Sequence, residues 1–288
     1  MTANIQQTSS QQKQSQQRVT LNIVDHIAYV SLNRPEKHNG LDEQMFLAIM
    51  KVAKQIKKNR KIRCVILRGE GESFCAGLDF GYVAKNPAMI VKFFFKLPWR
   101  KDNVFQRVAH VWRDLPVPVI SVLHGNCFGA GVQMALACDF RFATPTSNLS
   151  IMEMKWGLIP DMSGMVTLSQ LTRLDVAKEL TMTGRLFSGI EAEKYGLVTR
   201  VSDEPLSEAE KLATVIAQKS PDAIVAAKKL FKKTWKQDTR VALFWERIIQ
   251  LGLLGRKNQR IAMKKGLNKN TQATEHNEVP QFQDRGRF

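Results

Sequence analysis

Residues 117–138 read VPVISVLHGNCFGAGVQMALAC, and this stretch decides the fold. Its first part, Val117 to Leu123, is almost wholly apolar, which is typical of a strand that is buried on both faces. Glycines follow, and the residues from Gly131 to Cys138 suit a short helix. A buried strand, a glycine turn and a helix in this order predict a parallel sheet with crossover helices. Because His124 and Gln133 interrupt the apolar residues, the stretch does not fit a membrane span.

The same alternation extends to both sides of this stretch. On the N-terminal side, residues 19–32 predict two short strands around a turn, and residues 42–59 carry apolar side chains at helical spacing. The apolar run from Cys64 to Leu67 predicts a buried strand, and Phe140 to Ala143 predict a further strand. The final third differs, because residues 207–267 predict only helices.

Two helix starts can be predicted in this final third. Ser207 and Glu210 have the spacing of a capping box, in which two side chains satisfy the free N–H groups of the first turn. Ser220 precedes Pro221, and a serine cap followed by proline at the first helical position is a common helix start.

Composition divides the chain into three regions. It has 288 residues, of which 44% are hydrophobic, and this is enough for a substantial core. Residues 1–17 are rich in Gln, Ser and Thr and predict a disordered tail, because they offer too little apolar surface to offset the entropy of ordering. We therefore expect a tail over residues 1–17, an α/β core over 18–205 and a helical region over 206–288.

The cysteines and histidines indicate a reduced protein without a metal site. Cys64, Cys75, Cys127 and Cys138 form no CxxC pair, so neither a disulfide-rich scaffold nor a zinc cage is expected. The five histidines show no ligand spacing. Because the first residues have no signal-peptide pattern, we predict a cytoplasmic protein.

The charge is strongly basic, with 43 Lys and Arg against 26 Asp and Glu, a formal net charge of +17. This balance is compatible with nucleic acid, with an anionic small molecule such as a nucleotide-bearing cofactor, or with a solvated basic surface. Aromatic residues are not interleaved with the basic ones as single-strand binding requires, and no zinc-finger or RNP-like pattern occurs. Nucleic acid is therefore not the favoured partner.

Two glycine turns are candidates for a functional site. They are residues 73–79, SFCAGLD, and residues 124–131, HGNCFGAG, and each follows a predicted buried strand. Unpaired backbone N–H groups at such turns can stabilise a developing negative charge, as in an oxyanion hole. Alternatively, the glycines only make tight turns. The order GxxxGxG does not match the dinucleotide motif GxGxxG, and no P-loop lysine follows.

Seven short motifs occur in a fixed order along the chain. They are residues 33–41 (NRPEKHNGL), 74–79 (FCAGLD), 118–131, 137–139 (ACD), 157–160 (GLIP), 183–185 (TGR) and 195–198 (YGLV). Together they resemble the crotonase family, the enoyl-CoA hydratase/isomerase superfamily. The resemblance is strong over residues 19–200 and weak over the helical remainder.

The resemblance implies an α/β fold, a crotonase-like ββα spiral followed by a C-terminal helical region that serves oligomerisation and the CoA pocket. It implies an acyl-CoA thioester as substrate, with coenzyme A as part of the substrate and no further cofactor. It also implies a homotrimer or homohexamer, with neither nucleic acid nor a membrane as partner. Residues 87–107 would cover the acyl pocket.

The resemblance also assigns candidate site residues. The backbone N–H groups of Leu78 and Ala130 match an oxyanion hole for the thioester oxygen. The further candidates for substrate binding are Lys37, Ala76, Gly77, Asp79, Gly129 and Gln133. Lys37 matches a position that meets the CoA phosphates, or else is a solvated loop lysine. Asp79 is expected to cap the helix that begins at Phe80, and His124 is expected to be structural.

The carboxylates decide the predicted chemistry. Hydratases of this family use two glutamates, one of which matches Glu153, whereas the other position holds Gln133, which cannot transfer protons. Asp161 matches an aspartate that some enoyl- and dienoyl-CoA isomerases use for proton transfer. Each acid also has a structural interpretation: residues 150–153 fit a capping box, and Asp161 could cap the next helix.

We therefore predict an enzyme that stabilises a thioester enolate and isomerises the double bond of an enoyl- or dienoyl-CoA, with Asp161 and Glu153 as catalytic residues. Hydration by Glu153 alone is the second hypothesis. A catalytically decayed family member that binds CoA or RNA is the third.

Overall fold

A computed structural model describes residues 17–268 and 281–286. The predicted disordered tail, residues 1–17, lies outside the described residues except for Gln17. The described part forms two sheets and a set of helices, and a mixed α/β fold with a helical C-terminal region confirms the predicted fold class.

The larger sheet has six strands. In spatial order they are β1 (Val19–Val24), β2 (Ile27–Leu32), β3 (Cys64–Gly69), β4 (Val119–Leu123), β6 (Phe140–Ala143) and β9 (Arg200–Val201). β1 and β2 are antiparallel, and every later pair of neighbours is parallel. The predicted parallel sheet with crossover connections is therefore confirmed.

The smaller sheet contains β5 (Asn126–Phe128), β7 (Asn148–Ser150) and β8 (Phe187–Ser188). Only two residues separate β4 from β5, yet the two strands belong to different sheets, so the chain turns sharply between them. Gly125 permits this turn, because its φ is +54° and a Cβ there would lie 1.8 Å from the carbonyl oxygen of Glu72. The turn directs the chain from the large sheet toward the glycine-rich helix start.

Helices connect the strands and form the C-terminal region. Those up to the second glycine turn are α1 (Glu43–Lys58), α2 (Phe80–Lys85), α3 (Ala88–Phe94), α4 (Val104–Asp114) and α5 (Ala130–Leu136). The later ones are α6 (Gly164–Leu171), α7 (Leu174–Thr183), α8 (Gly189–Lys194), α9 (Pro205–Ala217), α10 (Pro221–Thr234), α11 (Thr239–Leu251) and α12 (Lys257–Asn268). Short 3-10 helices span Pro35–Lys37 and Met152–Trp156.

The central strands β3 and β4 of the larger sheet are buried on both faces, which explains why they are mostly apolar. In β3, Val65 and Leu67 belong to the core beneath α1 and α4, whereas Cys64 and Ile66 belong to the core beneath α9. The first core contains three phenylalanines in edge-to-face contact, with ring centroids 5.3 to 5.9 Å apart: Phe46, Phe93 and Phe105.

The two predicted helix starts have different outcomes. The Ser220 side chain accepts a hydrogen bond from the backbone N–H of Ala223, so this cap is confirmed. The capping box at Ser207 is wrong, because α9 already begins at Pro205 and Glu204 occupies the cap position. Proline has the φ of a first helical residue and needs no acceptor for an N–H, so it starts the helix before the serine.

Residues 281–286 pack back onto the body of the molecule. The Arg285 guanidinium donates to the carbonyl oxygens of Lys57 (2.8 Å) and Asn59 (3.0 Å) at the end of α1. The Asn258 amide on α12 accepts from the backbone N–H of Gln283 (2.8 Å) and donates to Asp222 (3.1 Å). These bonds attach the last described residues to the end of α1 and to the C-terminal helices.

Two expectations from the sequence concern membrane-spanning helices and cysteines. Among the helices in residues 17–268, none combines the length and the apolar character that crossing a bilayer requires. All four cysteines are free, buried thiols. The proposed division of the chain at residues 205 and 206 stays a prediction.

Candidate active site

The two glycine turns lie side by side. The backbone N–H of Cys75 donates to the carbonyl oxygen of Asn126 (3.1 Å), and the N–H of Phe128 donates to the oxygen of Cys75 (2.9 Å). Segments some 50 residues apart in the chain are thus joined at the ends of β3 and β4. The tertiary structure brings together the two segments that the sequence analysis singled out.

Two glycines allow this close approach. Gly77 has a φ of +90°, and a Cβ there would lie 2.8 Å from the carbonyl oxygen of Phe128. A Cβ on Gly131 would lie 2.4 Å from the carbonyl oxygen of Cys75. A side chain at either position would therefore push the turns apart, so these glycines do more than make tight turns.

The backbone N–H groups of Leu78 and Ala130 are both unpaired among the described residues. Leu41 bonds to the residues on either side of Leu78, donating to the oxygen of Gly77 (2.8 Å) and accepting from the N–H of Asp79 (3.1 Å). The N–H of Leu78 therefore points away from Leu41. Ala130 is the first residue of α5, where an N–H has no acceptor within the helix.

The methyl group of Ala130 fits its position. Gly129, directly before it, has a positive φ of +49°, whereas Ala130 is not among the residues of positive φ. The side chain therefore causes no backbone strain, and the helix start stays available to a ligand.

Glu153 lies beside this helix start. A Cβ built on Gly129 would be 3.3 Å from its Oε1, and Oε1 accepts a hydrogen bond of 2.6 Å from the Gln133 side chain. Its Oε2 is buried and has no partner within the part of the chain that the structure describes. Burial raises the pKa of Glu153 above its ordinary value, and the charge of Asp161 raises this pKa further.

Gln133 is a fully buried amide whose orientation is fixed by its partners. Its Oε1 accepts from the backbone N–H groups of Met162 and Gly164, both at 2.9 Å. Its Nε2 therefore faces Glu153. A flipped amide would place two N–H groups against these two backbone donors.

Asp161 follows Pro160 on the loop that leads to α6 and is exposed. Partial burial nevertheless raises the pKa of its carboxyl group. The interpretation of Asp161 as a helix cap is wrong, because α6 begins at Gly164 and Ser163 holds the cap position. Ser163 has a φ of +67°, a conformation that costs a non-glycine residue about 1–2 kcal/mol.

The capping box proposed for residues 150–153 is also wrong. The Ser150 hydroxyl donates to the carbonyl oxygen of Gly184 (2.8 Å), and Ile151 precedes the 3-10 helix without a side-chain cap. Neither candidate acid is therefore used to cap a helix. Both stay available for other chemistry.

The remaining candidates lie around the first turn. Asp79 caps α2 by accepting from the N–H of Tyr82 (2.9 Å), as predicted, and forms an ion pair of 2.8 Å with Arg34. Lys37 is exposed on the 3-10 helix, and Ala76 donates its N–H to the oxygen of His38 (2.9 Å). The Arg34 contact holds residues 33–41 against the first glycine turn.

Arg34 was missed by the sequence analysis, although it lies within the quoted motif NRPEKHNGL. It is 8% exposed, and it also contacts Asp42 at 3.5 Å. The sequence did contain an indication of this role, because an arginine that directly follows a buried strand and precedes Pro35 is expected to be partly shielded from solvent. His124 is structural as expected, because its Nε2 pairs with the carbonyl oxygen of Gly71 at 2.9 Å.

A large cleft lies away from these residues. It has a volume of about 800 Å³ and is bounded by the β1–β2 turn, α9 and residues 281–282. Its lining includes Tyr29, Arg63 and Phe282 and none of the candidate site residues. Cleft size therefore does not locate the candidate site, whereas the unpaired backbone donors and the buried acid Glu153 do.

The family assignment follows from comparison with known proteins. A sequence model of the enoyl-CoA hydratase/isomerase family matches residues 22–275. The chain belongs to this family. The resemblance noted from the seven motifs is thereby confirmed, and the family supports an enzymatic activity.

Named relatives within the family differ in activity. The chain is 33% identical to a mitochondrial Delta(3,5)-Delta(2,4)-dienoyl-CoA isomerase of Dictyostelium discoideum, over 73% of this chain and 74% of that protein. It is 31% identical to an (E)-benzylidenesuccinyl-CoA hydratase of Thauera aromatica, over 68% of this chain and 76% of that protein. A crystal structure of enoyl-CoA hydratase from Bacillus anthracis superposes with a TM-score of 0.82 at 28% identity, covering 92% of this chain and 99% of that one.

Proposed function

We propose that this enzyme isomerises the double bond of an enoyl- or dienoyl-CoA thioester. The observation that carries the proposal is the carboxyl group of Glu153 beside two unpaired backbone N–H groups, with Asp161 close enough for its charge to raise the pKa of Glu153. A raised pKa favours the protonated form of a carboxyl group, so the same group can return a proton that it has taken up. The similarity to a dienoyl-CoA isomerase supports this choice.

The proposed reaction moves one proton. Asp161 removes a proton from a carbon conjugated with the thioester, and the electron pair of that C–H bond moves through the double bonds onto the thioester oxygen. The N–H groups of Leu78 and Ala130 bind the resulting enolate oxygen. Asp161 then returns this proton to a different carbon, which places the double bond at its new position; where Glu153 supplies the proton instead, the proton on Asp161 must pass back to Glu153 through solvent before the next turnover.

Hydration is the second candidate, and a specific observation favours it. The buried Oε2 of Glu153 has no partner in the described residues, so this carboxylate could activate a water molecule. Gln133 cannot supply the second proton-transfer group. The similarity to a hydratase keeps this reaction open.

Substrate binding is proposed for the residues around both turns. Ala76, Gly77 and Gly129 would flank the acyl-thioester, Gln133 and Asp79 would support it from behind, and Lys37 would meet the CoA phosphates. No cofactor apart from the CoA of the substrate is needed for either reaction. The acyl-pocket cover over residues 87–107 and the cytoplasmic location stay predictions.

A homotrimer or homohexamer is proposed on the basis of exposed apolar side chains. Several lie on the surface after the candidate acids, in residues 158–190: Leu158, Ile159, Leu174, Met182, Leu186 and Ile190. Large apolar side chains left exposed over one stretch of the chain favour a contact between subunits. Measurement of the mass in solution tests this assembly.

A panel of thioesters tests the proposed reaction. The enzyme is incubated with 2-enoyl-, 3-enoyl- and 3,5-dienoyl-CoA in H₂¹⁸O, and the products are analysed by mass spectrometry and ultraviolet absorbance. Isomerisation shifts the absorbance without ¹⁸O incorporation, whereas hydration adds water to a 2-enoyl-CoA. Rapid hydration with no isomer formed would refute the first proposal, and no turnover of any thioester would favour a CoA- or RNA-binding protein.

A further inference from the structure

Gln133 connects the two candidate acids through three hydrogen bonds. Its Nε2 donates to Glu153 Oε1 at 2.6 Å, and its Oε1 accepts from the N–H groups of Met162 and Gly164 at 2.9 Å each. These partners come from the 3-10 helix that carries Glu153 and from the loop that carries Asp161. One buried side chain therefore contacts both elements.

The amide leaves Glu153 with one defined orientation. Oε1 is occupied by the Gln133 donor, and Oε2 is buried without a partner in the described residues. Because Gln133 Oε1 already accepts from two backbone donors, Gln133 can only donate toward Glu153. Proton exchange by Glu153 is thereby directed to Oε2.

The same amide holds the loop that follows Asp161. Met162 and Gly164 are bound on either side of Ser163, which has a left-handed backbone conformation. A Cβ at Gly164 would lie 2.7 Å from Gln133 Oε1, so a side chain at this position would displace the amide from its two backbone donors. The strained conformation of Ser163 is maintained by these two bonds.

We propose that Gln133 is a positioning residue, which orients Glu153 through its N–H and fixes the Asp161 loop through its carbonyl oxygen. This inference rests on the proposed function, because it assigns the two acids to proton transfer. It replaces the expectation that Gln133 contacts the substrate directly. A carboxyl group at position 133 would have to share a proton with Glu153 to form this contact. The amide of Gln133 bonds to the 3-10 helix of Glu153 and to the Asp161 loop without such a shared proton.

Two variants test this role. Gln133→Met has nearly the same length and removes all three hydrogen bonds, so we expect kcat to fall about 10- to 100-fold, while KM changes less than about threefold. Gln133→Glu keeps the backbone contacts but places a carboxyl oxygen about 2.6 Å from Glu153 Oε1, so the pair must share a proton. Its pH–rate profile should therefore gain a second ionisation.

A matched control variant separates the loss of the Gln133 contacts at the candidate site from a general loss of folding stability. Asn258 also accepts from a backbone N–H and donates to a buried carboxylate, Asp222, but among the C-terminal helices. Asn258→Asp makes the same change from amide to acid there. It should lower the melting temperature and leave the pH–rate profile unchanged.

An NMR titration tests the role of Gln133 without substrate turnover, so it does not depend on the proposed reaction. The carboxyl carbon of Glu153, labelled with ¹³C and assigned through Glu153→Gln, is titrated by NMR in the wild type and both variants. A changed titration with reduced kcat supports the inference. A Gln133→Met protein with kcat within about twofold of the wild type, or an unchanged Glu153 titration in both variants, overturns it.

Failure of the proposed function would look different. If the wild type turns over no enoyl-CoA, the NMR titration alone decides whether Gln133 orients Glu153. If Gln133→Met does not fold, Gly164→Ala disturbs the same contact from the loop side, since its Cβ would meet Gln133 Oε1 at 2.7 Å. Wild-type kcat and an unchanged Glu153 titration in that variant would likewise overturn the inference.

Discussion

Replacing Asp161 by asparagine tests the proton-transfer step most directly. The substitution keeps the shape of the side chain and removes its ability to accept a proton. In the described residues the Asp161 carboxylate caps no helix and forms no ion pair with another side chain. The folded structure therefore loses little with the charge, and the effect on turnover can be measured separately from an effect on stability.

The expected magnitudes differ widely. A positioned proton-transfer group contributes about 10²- to 10⁴-fold to a rate, so we expect kcat to fall at least about 10²-fold, which is about 2.7 kcal/mol of transition-state stabilisation. A surface substitution of this kind changes the free energy of unfolding by at most about 0.5 kcal/mol. KM should change little, because the thioester contacts remain.

The assay follows the ultraviolet absorbance of a 3,5-dienoyl-CoA during conversion, with unfolding measured in parallel by circular dichroism. Asp175→Asn is the matched control, since Asp175 is an exposed acid near the start of α7 that pairs with Arg173. We expect the control to retain wild-type turnover. A kcat within about threefold of the wild type for Asp161→Asn would refute the role of this residue and transfer the chemistry to Glu153.

Three further predictions concern other parts of the site. The pKa of Glu153 is raised in the folded state, so the folded protein binds this proton more tightly than the unfolded chain does. The protonated Glu153 therefore contributes most to stability below the unfolded pKa of about 4.3, and this contribution is lost as the pH rises through the folded pKa. The melting temperature of the wild type should therefore fall over this pH range, and Glu153→Gln should make the fall smaller. A melting temperature with the same pH dependence in both proteins would contradict the burial of the Glu153 charge. Gly77→Ala should destabilise the fold by about 1–3 kcal/mol and reduce turnover, since a Cβ would lie 2.8 Å from the Phe128 oxygen. Gly255→Ala, with a φ of +75° and nothing within 4 Å, should show the backbone strain alone, and equal losses in both variants by denaturant unfolding would argue against close approach. Lys37→Glu should raise KM for a CoA thioester about tenfold, with a smaller difference in high salt; a KM equal to that of the wild type would place the CoA phosphates elsewhere.

Local sequence determined the elements and some of their ends. Strands β3 and β4 could be predicted because burial on both faces requires a continuous apolar run, which is visible without knowing the neighbours, whereas the short strand β9 was not predicted. Caps at Asp79 and Ser220 could be predicted because the donor lies three residues along the same chain. The same local reasoning was wrong at Ser207, where Pro205 starts the helix earlier.

The candidate site was only partly visible in the sequence. Motif similarity identified the turn residues and both acids, but not how they meet. The approach of the two turns depends on backbone contacts between residues some 50 positions apart, and the contact of Arg34 with Asp79 spans 45 positions. No local pattern encodes such distances, since they arise from the packing of whole elements.

The resemblance of the sequence to the family predicts that Gln133 stands where hydratases carry an acid, and only the tertiary structure shows which groups the amide contacts there. Its partners are 20 to 31 residues away, and its orientation depends on two backbone N–H groups that no residue type reveals. The raised pKa values of Glu153 and Asp161 likewise follow from burial. Composition and spacing fix which groups a chain possesses, whereas hydrogen-bond geometry and desolvation exist only once distant segments have packed together.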